Sequence, residues 1–559
     1  MLLSGSRVLA AARAPGRGRT VLTRVLAEVC GAHAAAVRHV TFDVGPALLA
    51  AVREPADGPE QGAGEGAART VPVVAVRIAP RPARHPALAR HPSAPIAGLV
   101  ARSVTLPGGH DLLGRELAAL DDARVGELAD ELAASGVRAV AVAACGSLAA
   151  PAHERAVGER LLAAAPGLRI SLSHEFGGQD LAGREASAVL NAALADVAEE
   201  VLGACEAAAG RVVPRAQHGV ARGDGGRTPL ARARTLPVVA VGAAEAAALL
   251  GAARLAGLER CRVLLPGSEG ALLGEVRNGV PLVRPGRVPG WGVRLSVPMA
   301  ILSAKGTALD GIGGGAADSA DADAGNGDGA EAGAGDGGEP PTVVVAAGDG
   351  HPAHPAPAAG PVAAPGPVCD AGGGTSGGHR VACRDDRVSL SPPADLALIG
   401  TALCPPMAWV DEVVQVKDAR ELAAVRRDAE QRTIAMVTAQ GAAPGSARLV
   451  ETTVVALPFS PAGTIRVHLR AVGEAEPWTA GEAAARDGEP AGAGADGERV
   501  AGGPAGGESS DGADAVVASR PAGEAPAARD VGEGREAGEG RGARAAGGAP
   551  AGRRPRRSE

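Results

Sequence analysis

The chain has 559 residues, 46% of them hydrophobic, and a formal net charge of −7. That length provides for two or three domains with ordinary cores, and the acidic balance excludes a general attraction to phosphate backbones. Having only 3 Phe, 3 Trp and no Tyr, it also lacks the stacking platforms of single-strand binders, so no nucleic-acid partner is expected.

The same scarcity leaves Ala, Val and Leu to fill the interior. Gly at 82 and Pro at 43 exceed ordinary usage and call for long stretches without regular structure. The cysteines at 30, 145, 205, 261, 369, 383 and 404 never stand as C-x-x-C, which argues against a zinc ribbon or a disulfide framework and fits reduced thiols in a cytoplasm. No metal site is expected. No apolar run approaches the ~18 residues of a membrane span, so no membrane partner is expected either.

In chain order, the basic, apolar start at 1–19 reads as a strand entering the fold rather than a transit peptide, and residues 55–69 as a loop. Asp121 and Asp122 open a helix whose Val125, Leu128 and Leu132 share one face, and Gly136 ends it. The run Val137–Ala144, apolar but for Arg138, suits a strand covered on both faces. Pro151 starts a second helix, stopped by Pro166-Gly167. Arg169–Leu172 is a short strand, followed by one long helix carrying Val189, Leu190, Leu194, Val197, Val201 and Leu202. This alternation predicts an α/β domain with parallel pairing. The stretch from Gly311 to Gly378, relieved by Thr342–Val345, and the tail from Ala475 to Glu559 cannot bury enough surface to offset ordering entropy. Between them, Trp409-Val410 and Val413–Val416 read as strand, Ala419–Thr438 as helix, and Leu449–Leu457 and Thr464–Val472 as a strand pair, making a small α+β module.

Several segments, in order, resemble the hydantoinase A/oxoprolinase family (N-methylhydantoinase A-like). They are Gly136–Val142, Pro151-Ala-His-Glu154, Ser171-Leu-Ser-His-Glu175, Arg184-Glu185 and Val189-Leu-Asn-Ala192, then Gly257-Leu-Glu259 with Asn278-Gly279, then Trp409-Val-Asp411 through Ala471-Val-Gly473. The resemblance implies an α/β fold of the two-lobed actin-like ATPase (ribonuclease H-like) type, with a truncated second lobe and long disordered segments. It divides the chain into 1–54, a remnant of the N-terminal lobe; 70–235, the N-terminal-type α/β domain; 236–310, the second-lobe core; 311–390, a low-complexity linker; 391–474, the C-terminal module; and 475–559, a disordered tail. It implies ATP-dependent hydrolysis of a small cyclic amide, ATP and Mg²⁺ as cofactors, and a hydantoinase B-type partner subunit.

The sequence departs from that pattern at the nucleotide. The family's N-terminal phosphate hairpin is absent from the chain given. Without gaps, the second hairpin falls on Leu264–Gly274, which puts Leu265 and Leu272 where the family has Asp, and Ser268 and Glu269 where it has Gly and Thr. Leucine cannot hold Mg²⁺, which takes oxygen ligands, and Glu269 sets negative charge against a phosphate. Gly267 and Gly274 are the remnant of a cofactor-binding hairpin. The turn at Asp43–Leu49 lacks the family's hydroxyls, and Lys305–Leu309 and Val345–Asp349 lack its glycine pattern. The expected function is a family hydrolase with impaired or lost ATP chemistry; the alternative is a non-catalytic pseudoenzyme acting as a binding subunit.

Among polar residues, His174, Glu175 and Arg184 are the catalytic candidates, because His174-Glu175 follows a strand end, where α/β folds place ligand groups. His153-Glu154 reads as a structural cap, Gly108-Gly109-His110-Asp111 as a turn or a family loop, and Cys145 as an inert thiol with no basic neighbour in sequence. His351 and His354 lie in linker, as does Gly311–Gly315, which only mimics a phosphate loop.

Overall fold

The computed structural model describes residues 1–4, 7–14, 18–53, 70–81, 90–267, 270–288, 291–305, 342–345, 380–384, 387–391, 395–457 and 460–474. All lie in the first of two units, Met1–Glu489 and Pro490–Glu559. The expectations for 311–315, for His351 and His354, for Ser268-Glu269 and for the tail 475–559 fall outside the described residues.

Strands β1 (Leu2–Ser4) and β2 (Arg7–Ala10) pair antiparallel, helix Arg19–Cys30 follows, and β3 (His39–Phe42) leads into helix Gly45–Arg53. Four parallel strands come next: β4 (Val73–Ala79), β5 (Val100–Pro107), β6 (Ala139–Ala144) and β7 (Arg169–Leu172), in the spatial order β5-β4-β6-β7. Their side chains alternate between two cores, as the period of two requires. Val73, Ala75, Ala139 and Ala141 face Ile96 of helix Ala94–Leu99 and Val189 and Leu190 of helix Leu181–Ala193. Val74, Val76, Ile78, Val140 and Val142 face Val125, Leu128 and Leu132 of helix Asp122–Ser135 and Val157 and Leu161 of helix Ala152–Ala164. Every residue of β6 is buried, which is why that run could be continuously apolar. Helix Asp122–Ser135 is capped by the Asp121 side chain and ends at left-handed Gly136, φ 68°.

The single long helix expected through Leu202 is two, Leu181–Ala193 and Ala195–Val212. The chain turns at the fully buried Leu194. The first helix is buried on every side from Gly183 to Ala193, whereas the second buries one face, with Ala209 and Val213 meeting Cys30. Hydrophobic spacing alone could not separate two helices that abut without Gly or Pro. Strand β8 (Gln217–Ala221) pairs parallel with β3 and antiparallel with β9 (Arg227–Pro229), so Val44 and Leu48 share one core with Leu190 and Val220.

A second sheet follows helix Ala243–Ala256. It contains β10 (Cys261–Gly267), β11 (Gly270–Arg277) and β12 (Val280–Pro281); the hairpin β13 (Val283–Arg287) and β14 (Arg294–Ala300) forms a separate pair; β15 (Leu302–Lys305) returns to β11. Strands β16 (Thr342–Val345), β17 (Arg380–Arg384) and β18 (Arg387–Ser391) complete the order β12-β11-β10-β16-β18-β17, with β10, β16 and β18 parallel. Three pieces of the expected linker 311–390 are therefore strands of a sheet. β-Branched side chains decide this for Thr342–Val345, whose Val343 is fully buried.

Helix Leu396–Leu403 and the antiparallel sheet of β19 (Met407–Gln415), β20 (Arg448–Ala456) and β21 (Thr464–Val472) close the described chain, with β21 central. Helix Ala419–Ala439 covers one face through Ala429, against Ile465, Val467 and Leu469. The two strand segments expected around Trp409 and Val413 are one strand. Helices Ala243–Ala256 and Leu396–Leu403 cross at glycines: a Cβ on Gly400 would lie 1.7 Å from the Ala247 carbonyl oxygen. Gly400→Ala is therefore expected to destabilise the fold by about 3 kcal/mol, the upper range for an overpacked core, read as a lowered midpoint in urea unfolding.

Candidate functional site

In the order β5-β4-β6-β7 the chain reverses its winding between β4 and β6, and the crevice at the carboxyl ends of strands at such a point is where open α/β sheets receive ligands. Gly108–His110 after β5, Cys145-Gly146 after β6 and the short turn Ser173–Phe176 after β7 all emerge there. Gly108 and Gly109 hold φ of 146° and 108°, backbone that a side chain would strain.

Glu154, in the first turn of helix Ala152–Ala164, is fully buried beneath these ends. Its Oε1 accepts from the Ala144 amide at 2.7 Å and the Ser173 hydroxyl at 2.6 Å; its Oε2 accepts from the His174 amide at 2.9 Å and His174 Nδ1 at 2.7 Å. Burial works to raise the carboxyl, but the bonds from His174 and Ser173 outweigh it and hold Glu154 below its ordinary range. An ionised Glu154 places the imidazole proton on Nδ1 and leaves the Nε2 lone pair of His174 facing outward, on a side chain 15% exposed. The residue read as a cap is thus the organising group of the site. Sequence adjacency to His153 concealed it, because its partners stand 10 to 20 residues away.

Arg184 joins from helix Leu181–Ala193. Its guanidinium donates to the carbonyls of Gly178, Gln179 and Ala144 at 2.9, 3.0 and 3.1 Å. Ala144 thereby carries Glu154 on its amide and Arg184 on its carbonyl. Burial lowers the Arg184 guanidinium, with Glu154, Asp180, Cys145 and Asp411 opposing. Glu175, half-buried, stands in the same turn as His174, and His174 and Arg184 are linked through Glu154 and Ala144. Glu185 instead pairs with Arg77 at 2.6 Å.

The remaining candidates have structural partners. His153 Nδ1 accepts from the Gly109 amide at 2.9 Å, its Nε2 stands 3.3 Å from Glu116, and its ring lies 4.3 Å from that of His110. His153 ties down the Gly108-Gly109 turn and has no nitrogen to spare. Cys145 does have basic neighbours in space, Arg184 and Arg77, but burial dominates and pushes its thiol up. Among the described residues no group of three or more His, Cys, Asp and Glu could hold a metal ion. From the C-terminal module, Asp411 accepts from the Gly178 amide at 3.1 Å and is gripped by Arg466 at 2.8 and 2.9 Å, while Trp409 packs against Gly177.

The second expected nucleotide element is a hairpin, β10–β11, with Gly267 opposite Gly270 and Leu265 directly opposite Leu272. Leu265 belongs to the apolar core with Val263 and Val343, and Leu272 packs against it. Gly274 sits mid-strand opposite Val263, and a Cβ there would meet Leu249 at 2.6 Å, so packing alone accounts for its glycine. Asp43 precedes helix Gly45–Arg53, where its Oδ1 accepts from the Gly45 amide at 3.1 Å. Burial, with Glu245 and Asp395 adding to it, pushes its carboxyl up to about 6 against the Gly45 bond.

Fold and site together define an α/β protein with a polar cluster at the carboxyl ends of a parallel sheet. Residues 89–164, which run from before β5 to the end of helix Ala152–Ala164, match the hydantoinase/oxoprolinase N-terminal region. That segment is similar to the corresponding region of the hydantoinase/oxoprolinase family. Its fold is similar to that of the ATP-dependent caprolactamase from Pseudomonas jessenii, at 13% identity and a TM-score of 0.53 over 84% of this chain and 85% of that one. A nucleotide-free acetone carboxylase structure overlaps at 15% identity and a TM-score of 0.31, over 37% of this chain and 30% of that one. No curated protein matches the sequence.

Two stability measurements test these environments. For Glu154, whose folded-state value is depressed, the stabilisation is present above its unfolded value and is lost as pH falls through the folded one. Glu154→Gln, which turns an amide donor toward a donor, is expected to cost about 3 kcal/mol at pH 7 and to flatten the acid limb of the unfolding curve. For Asp43 the sign reverses. A carboxyl raised to about 6 destabilises the fold as pH climbs from 4 to 6 and beyond, so Asp43→Asn is expected to raise the melting temperature at pH 8 and leave it unchanged at pH 4.

Proposed function

We propose that this chain is a protein of the ATP-dependent cyclic-amide hydrolase type (hydantoin or 5-oxoproline as substrate class) in which the ATP chemistry is lost. One observation carries the proposal: Leu265, in an apolar core, faces Leu272, which packs against that core, across β10–β11, at the positions where the family resemblance calls for Asp. Mg²⁺ takes oxygen ligands, and these side chains offer none, so the hairpin does not fit Mg·ATP and no step is routed through it.

The two-lobed actin-like reading is supported by the sheet β12-β11-β10-β16-β18, in which an antiparallel meander is extended by two strands parallel to β10. In contrast to the hairpin, the polar cluster of Glu154, His174 and Arg184 holds a buried carboxylate with donors on both oxygens and leaves the His174 side chain partly exposed. The amide-binding half is therefore the half we regard as retained. A second reading, a pseudoenzyme that serves as a binding partner beside a B-type subunit, is favoured by the same hairpin together with cores that remain closely packed at Gly274 and Gly400. Five free thiols among the described residues fit a cytoplasmic setting.

The test is calorimetry of Mg·ATP against the purified chain, alone and with a B-type subunit. The expected result is a cooperative melt with no micromolar binding in either case. Micromolar binding would overturn the proposal.

A further inference from the structure

The geometry points to the Glu154–His174 pair as an acid–base centre that acts on the carbonyl of a small amide without a nucleotide; we propose His174 as the catalytic residue and Glu154 as its positioning residue. The amide as substrate class rests on the reading above. The dyad itself rests on its own contacts.

A buried carboxylate hydrogen-bonded to Nδ1 of an imidazole fixes the tautomer, presents Nε2 as a base and stabilises the imidazolium once the proton is taken. All of those elements are present. Glu154 is fully buried and its two oxygens accept from Ala144, Ser173 and His174. Both the backbone amide and the ring of His174 are bound to the same oxygen, so the amide fixes the turn and the ring cannot swing without giving up its own bond to Glu154. A merely structural histidine needs no buried anion held by four donors, and His153 one helical position away shows the contrast, with both nitrogens engaged. The dyad also sits at the carboxyl end of β7, beside the point where the sheet reverses its winding. The charged groups around it are Glu154 from helix Ala152–Ala164, Arg184 from helix Leu181–Ala193 and Glu175 from its own turn, with Asp411 reaching Gly178 from β19.

The step balances. His174 Nε2 takes a proton from water as the water oxygen bonds to the carbonyl carbon and the carbonyl electron pair moves to oxygen. On collapse the C–N bond breaks and the imidazolium returns the proton to the leaving nitrogen, giving a carboxylic acid, which releases its own proton to water, and the ring-opened nitrogen, a ureido group when the substrate is hydantoin.

The experiment uses the full chain with hydantoin, with and without Mg·ATP, together with ¹⁵N-histidine NMR. His174 is expected to show the Nδ1–H tautomer at neutral pH. Ring opening is expected to fall at least about a hundredfold in His174→Asn with KM held within twofold. Glu154→Asp is expected to recover part of the rate lost in Glu154→Gln. Where Glu154→Gln fails to fold, carbethoxylation of His174 in the wild type by diethyl pyrocarbonate, located by mass spectrometry, reads Nε2 access directly. An Nε2–H tautomer, or an unmodified His174, overturns the dyad. Turnover that His174→Asn leaves within twofold overturns the proposal and spares the amide reading. No turnover by the wild type under either condition overturns both.

Discussion

A fully buried carboxylate is costly unless donors replace its water, and Glu154 sits at 0% exposure with Ala144, Ser173 and His174 donating to it. That requirement ties the end of β6, the turn after β7 and the start of helix Ala152–Ala164 to one point. Arg184 then locks onto the far side of Ala144 and carries the tie into helix Leu181–Ala193 and the Gly178 loop, and Asp411 extends it to the C-terminal sheet. Three segments distant in sequence are placed by one charge and its answer. The outward face of His174 is the consequence.

The nucleotide side follows the opposite physics. At β10–β11 a position near a strand end beside a tight turn carries leucine, and Leu265 is buried in an apolar core. Closer packing comes with it: Leu249 lies over Gly274, and the Gly400 backbone lies against Ala247. One half of the molecule surrounds a buried carboxylate with donors while the other spends its surface on hydrophobic contact. That division is what separates a retained amide pocket from a lost phosphate grip in the proposal.

Much of the first domain was legible in the sequence because local signals and tertiary role agree there. Asp121 and Gly136 bracket a helix, Val137–Ala144 reads as a doubly covered strand, and Arg169–Leu172 matches its strand. Where they disagree, the reading failed. Leu194 joins two helices with no breaker between them. The strand Thr342–Val345 lies in a stretch whose composition predicts linker, because partners far away in sequence supply the pairing that four residues cannot. Of the site, His174, Glu175 and Arg184 were visible as polar residues after strands, whereas Glu154 looked like a cap, since its bonds are all to other segments.

By itself the sequence determined the α/β alternation, the helix caps and the leucines at 265 and 272, because each is written in local spacing and residue type. Only the tertiary structure decided that Glu154 holds His174, that Cys145 has guanidinium neighbours yet is pushed up by burial, and that Leu265 in a core pairs with Leu272. Those outcomes depend on burial and on the partner that burial brings near, and neither is encoded at the position of the residue itself.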